Sequence, residues 1–247
     1  MNINSIGKQL INCKESCKGI LKDRKIGVYP RCLFYENKRK PGREIDYVVI
    51  GINPGQSAPL ERAFVQYIEK NNRSFKFEDM QEVMKPMVQG YPYYEKVRKF
   101  LERVRVDKEE HLVVTKGKKN LNILWTELVK CESKAHKGIK KKLSFKIKEL
   151  CFQKYLLKEL NSIKQRGIKP ILVFLGYAVE AFFIKYLKTR VKSKKKITLN
   201  DALRFFRLYH PTGSWRFNKE YFRRRKIENS LKKTGVGKIE IQRLGVH

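Results

Sequence analysis

The stretch YVVIGINPG, residues 47–55, opens as a run of β-branched and apolar residues and stops on Asn-Pro-Gly. A run of this kind, with no polar alternation, reads as a strand hidden on both faces, Tyr47–Ile52, and the Pro-Gly pair ends it. Asn120–Thr126 (NLNILWT), Pro170–Gly176 and Leu203–Tyr209 repeat the pattern, the last running into His-Pro. Helical periodicity occupies residues 3–24, Pro59–Lys70, Tyr93–Val106, Ser144–Arg166 and Ala178–Lys188, and a final helix is expected at Phe217–Lys233. Strands that alternate with helices need crossover connections, which are right-handed and cover both faces of a parallel sheet. The expected fold is α/β: a single three-layer α/β/α domain over residues 1–247, around a central four-stranded parallel sheet.

Working outward, the 247 residues carry 57 Lys and Arg against 24 Asp and Glu, a formal charge of +33. A surface biased merely toward lysine would match it with acids; this one does not, so a polyanionic partner is expected. Dense cation runs fall in basic insertions at about 132–148 and 188–200, and a third cluster, Arg216–Lys226, interleaves with Trp215, Phe217, Tyr221 and Phe222. Aromatics there can wedge or stack while cations hold phosphates. The opening residues lack a secretory apolar core, and the longest apolar run, Pro170–Ile184, is broken by Gly176 and Glu180, short of the roughly 20 residues of a spanning helix. An intracellular, cytoplasmic and nucleoid-associated protein with no membrane partner is expected. Structural disulfides are then not expected among the five cysteines, which leaves buried thiols or metal ligands.

In a parallel sheet the carboxyl ends of the strands line the ligand crevice. Here they carry Gly51-Ile52-Asn53-Pro54-Gly55, Glu127, Gly176 and His210-Pro211. Gly51 and Gly55 permit close backbone approach, Asn53 offers an amide, and Thr212, Gly213 and Ser214 offer hydroxyls and backbone amides suited to phosphate. The plainer reading of GINPG is a simple turn.

GINPG at 51–55 and HPTGS at 210–214, with Lys130-Cys131 after the second strand and GYPYYEKVRKFLERV at 90–104, resemble the uracil-DNA glycosylase superfamily. The first motif is similar to that of its mismatch-specific and single-strand-selective branches, and the remaining likeness is to the iron-sulfur branch. The resemblance runs in order from about residue 10 to residue 230. It implies a base-excision repair enzyme that swings a deaminated base, uracil or a relative, out of DNA and hydrolyses its N-glycosidic bond. Asn53 would hold the attacking water and His210 would donate to the leaving base. Gly51, Ile52, Tyr93 and Glu127 would form the base pocket, with Tyr93 stacking on the base. Gln56, Ser57, Thr212, Gly213, Ser214, Trp215, Arg216, Arg223, Arg224 and Arg225 would bind DNA, duplex or single-stranded, and a monomer is expected.

Two departures bear on substrate. Glu127 stands where uracil-reading members of the iron-sulfur branch carry Asn; an ionised carboxylate only accepts, which suits a base showing two donors. Glu127 could instead stay protonated, or turn aside to pair with a lysine such as Lys130. At 53 there is no acid, so water activation would be weak. A non-catalytic nucleic-acid-binding protein with the same fold is the alternative reading.

Cys13 and Cys17 are spaced one helical turn apart, and Cys131 and Cys151 flank the first basic insertion. The resemblance implies that these four hold a structural [4Fe-4S] cluster, with zinc as the alternative and no dissociable cofactor. The first pair is C-x3-C where C-x2-C is usual, which leaves Cys32 as a spare thiol or substitute ligand.

Overall fold

Tyr47–Gly51 (β2) is buried along its whole length, as its run of β-branched residues demands. A computed structural model describes residues 3–31, 33–35, 45–52, 54, 59–106, 111–114, 120–133, 135–136, 139–140, 143–164, 170–192, 203–211, 239–240 and 242–244. It places β2 inside a six-stranded sheet with Phe34–Tyr35 (β1), Ile123–Glu127 (β3), Ile171–Leu175 (β4), Leu203–Leu208 (β5) and Gln242–Leu244 (β6), in the order β6-β5-β4-β2-β3-β1. The four inner strands are parallel, and β1 and β6 run antiparallel at the edges.

The layers follow from the alternation along β3. Trp125 meets the ring of Tyr94 on the helix Pro92–Leu101 edge-on at 4.9 Å. Its neighbour Thr126 donates 2.8 Å to Glu159 on the helix Leu157–Lys164. Successive strand side chains point to opposite faces, so these helices cover opposite sides of the sheet. The second side also carries the helix Tyr177–Lys192, whose Phe183 stacks on Phe174 of β4 with ring centroids 4.6 Å apart. The architecture is a three-layer α/β/α arrangement around a four-stranded parallel core.

The helix Pro59–Lys70 has the bounds its periodicity predicts. The expected helix over 3–24 instead ends at Ile11. Asn12 turns its amide back onto Lys8 O at 3.0 Å. The Lys22 ammonium takes the carbonyls of Cys13 at 2.6 Å and Glu15 at 2.8 Å, acceptors that a continuing helix would use itself. Ile20–Leu21 then pairs antiparallel with Glu132–Ser133. The expected helix Tyr93–Val106 stops at Leu101, and Val104–Val106 becomes a strand beside His111–Val114; the Val-Arg-Val alternation favours that outcome.

Phe77–Gly90 is a helix that the sequence reading left out. Phe77, Met80, Val83, Met84 and Val88 are buried along one face, and Pro86 inside the helix masks that periodicity. The long helix expected at Ser144–Arg166 spans Phe145–Lys164, interrupted by a π turn at Phe152–Leu156. The expected helix at Phe217–Lys233 lies outside the described residues. No helix among the described residues is long and apolar enough to cross a membrane.

Candidate active site and cysteine pocket

The parallel register sets Gly51 beside Glu127 and Leu175 beside Leu208 at the carboxyl edge of the sheet. Backbone bonds extend this pairing past the strands: Leu128 N–H donates to Gly51 O at 2.8 Å, Val129 N–H to Ile52 O at 3.0 Å, and Gly176 N–H to Leu208 O at 2.8 Å. Gly51 has a specific steric role, because a Cβ there would collide with the Glu127 carboxylate. The glycine that sequence reading assigned to close ligand approach thus makes room for a side chain of the neighbouring strand.

Gly51, Tyr93 and Glu127, expected as pocket residues, line one hollow together with Arg31, Tyr94 and Trp125. The hollow is small, about 20 Å³, so a ligand larger than a water has to displace part of its wall. Ile52 is partly buried against the core behind it. The His210 ring lies 5.5 Å from that of Tyr93, tilted 53°, and its Cβ sits 3.6 Å from where a Cβ on Gly176 would be. His210 therefore reaches the hollow through Tyr93 rather than lining it. Burial pushes the hydroxyls of Tyr93 and Tyr94 well up in pKa, and the negative charge of Glu127 adds to both shifts.

Lys130 does not pair with Glu127. Its fully buried ammonium lies 2.5 Å from Glu159 and also donates to Thr126 Oγ1. Thr126 and Glu127, adjacent on the strand, project to opposite faces, so this lysine serves the other layer.

Arg31, Tyr94 and Trp125 are among the pocket residues that sequence reading missed. Trp125 was within reach of it: two residues before Glu127 on a strand, it must share that face. Arg31 gave no such signal, since its place depends on Glu61, which it grips from a distant segment with bonds of 3.1 Å and 2.7 Å. Burial works against the charged guanidinium, and the Glu61 carboxylate more than offsets it, so the Arg31 pKa is raised. Asn53, Gln56, Ser57, Thr212, Gly213, Ser214, Trp215, Arg216, Arg223, Arg224 and Arg225 lie outside the described residues, as does Cys32.

Cys13, Cys17, Cys131 and Cys151 line a second pocket with Lys22, Lys154 and Tyr155. Cys13 and Cys17 occupy coil rather than one helical face. The ladder between Ile20–Leu21 and Glu132–Ser133 draws that coil to Cys131, and Lys154 clamps it to the helix bearing Cys151 through Glu15 at 2.5 Å. All four are free thiols. Burial and the neighbouring thiols push the Cys131 pKa up; burial raises Cys151 to about 11, opposed by the Lys130 N–H that donates to its sulfur at 3.3 Å. No group of three or more His, Cys, Asp or Glu side chains among the described residues is arranged to hold a single metal ion.

No family model matches the chain, and a search of curated proteins finds no match.

Proposed function

We propose that the protein is a DNA N-glycosylase of base-excision repair, hydrolysing the N-glycosidic bond of a flipped-out deaminated or otherwise damaged base. The observation that carries this reading is the meeting of residues from four separate segments at one sheet edge: Gly51, Tyr93 and Glu127 around a common hollow, with His210 against Tyr93. An extruded base stacks on Tyr93 and presents its polar edge to Glu127. Asn53 holds the attacking water, and His210 donates to the base as negative charge grows on it; a donor placed there contributes about 3–4 kcal/mol. The cationic segments hold the phosphates of DNA, and the protein works in the cytoplasm beside the nucleoid.

The four thiols line one shared pocket, which supports a structural metal centre there: a [4Fe-4S] cluster, with zinc on the same four sulfurs as the alternative. A [4Fe-4S] cluster on Cys13, Cys17, Cys131 and Cys151 pins the N-terminal coil to the segments after β3 and supplies no chemistry to base release. Absorbance near 400 nm with stoichiometric iron supports it; a colourless protein with stoichiometric zinc replaces it.

The test of activity is a panel of duplex and single-stranded oligonucleotides carrying uracil, hypoxanthine, xanthine or a T·G mismatch, followed by alkaline cleavage of abasic sites. Strand scission lost in Asn53→Ala and His210→Ala is expected. DNA that is retarded in a gel while every strand stays intact leaves a non-catalytic binder instead.

A further inference from the structure

The walls around Glu127 have a chemistry of their own. Tyr93 and Tyr94 meet at 83° with centroids 5.0 Å apart, and Tyr94 meets Trp125 at 89° and 4.9 Å. Rings set edge to face in succession turn their π surfaces in different directions, so they do not form a stack. All three line the hollow that also holds the Glu127 carboxylate. Among the described residues at its wall, Arg31 carries the guanidinium, and it makes two bonds to the Glu61 carboxylate. Aromatic faces combined with a carboxylate attract a delocalised cation: each ring face favours the charged over the neutral ligand by about two- to thirtyfold. They offer no such advantage to neutral uracil.

We infer that this pocket selects a base that carries a positive charge, an N-alkylated purine, over a neutral deaminated one. The inference rests on the glycosylase reading and names its substrate class. It also agrees with the absence of an acid in GINPG. When water adds its oxygen to C1′ and the C1′–N bond breaks, the bond pair passes to the ring nitrogen and cancels the charge of the base. The products are a neutral base, an abasic sugar and the water's proton, released to solvent. A leaving group that departs neutral asks less of water activation than one that departs as an anion.

The test compares release of 7-methylguanine and 3-methyladenine from dimethyl-sulfate-treated duplex with release of uracil and hypoxanthine from matched duplexes, using the full chain. Faster release of the methylated bases is expected. Glu127→Gln should lower that release at least tenfold and should lower release of uracil by a smaller factor, so that the ratio of methylated-base to uracil release falls. A second measurement does not require turnover: quenching of tryptophan fluorescence should saturate at lower 7-methylguanosine than guanosine at pH 6, and this preference should shrink in Glu127→Gln. Release of deaminated bases with none of the methylated ones overturns the inference and leaves the glycosylase reading standing, as does equal nucleoside affinity. Release of no base from any duplex removes both.

Discussion

Replacing Lys130 by Met is expected to destabilise the protein by about 3–5 kcal/mol, the usual consequence of removing one partner of a buried ion pair. The structure fixes the origin of that number. Lys130 and Glu159 are 0% and 1% exposed in their side chains, with Nζ and Oε2 2.5 Å apart. Methionine keeps most of the aliphatic stem, so packing changes little and the loss is electrostatic. Among the described residues Glu159 then keeps neutral donors, the Thr126 hydroxyl at 2.8 Å and the Leu33 N–H at 3.3 Å, for a charge sealed from water. For a chain of this size the melting temperature should fall by roughly 6–20 °C. Urea unfolding followed by circular dichroism measures the free energy, and the double variant Lys130→Met/Glu159→Gln should recover more than half of it, since both charges are gone. The effect should extend to both pockets, because Lys130 O accepts from Arg31 N–H at 2.7 Å and Lys130 N–H donates to the Cys151 sulfur. A single variant costing under about 1 kcal/mol, or a double variant no more stable than the single, refutes the reasoning.

Gly51→Ala should destabilise by about 1 kcal/mol, the low end of overpacking, because its methyl meets the movable carboxylate end of Glu127; urea unfolding of Gly51→Ala/Glu127→Ala should show the loss largely relieved. Burial raises Tyr47 to about 12, above its unfolded value near 10, so its contribution is complete below pH 10 and is lost as pH climbs toward 12 and beyond. That loss amounts to about 2–3 kcal/mol, and Tyr47→Phe should flatten the alkaline limb of a stability–pH curve by this amount. DNA affinity should fall steeply between 50 and 200 mM salt, each neutralised phosphate adding roughly −0.9 to the log–log slope on duplex; a flat response in a filter-binding titration contradicts phosphate tracking by the cationic segments.

The parallel core was legible because a strand buried on both faces must be an unbroken apolar run, and YVVIG, NILWT, ILVFL and LRFFRL come close to that pattern. The edge strands, two or three residues long, are too short to show a period. Among the site residues, Gly51, Glu127 and His210 could be gathered because strand ends in such a sheet share one edge, whereas Tyr93, on the helix Pro92–Leu101, was reached only through the resemblance of the motif around it. Arg31 could not, since a buried cation is set by its partner Glu61 and no local pattern announces the pair. The same limit hid the true place of Lys130: its spacing from Glu127 suggests a contact, but the pleat of β3 sends the two environments to opposite faces. The first cysteine pair misled in the other direction, looking helical by spacing while Lys22 unwinds the segment by claiming its carbonyls.

The short ladder between Ile20–Leu21 and Glu132–Ser133 has a consequence for how the chain is made. Cys13 and Cys17 leave the ribosome long before their companions, and nothing can hold them in position until the segment through Cys151 has followed. Assembly of the thiol quartet is therefore a late event of biosynthesis. A nascent chain halted before Glu132 would carry Cys13, Cys17 and Cys131 without the ladder that draws them together, open to oxidation, so the timing of translation decides how long they stay exposed.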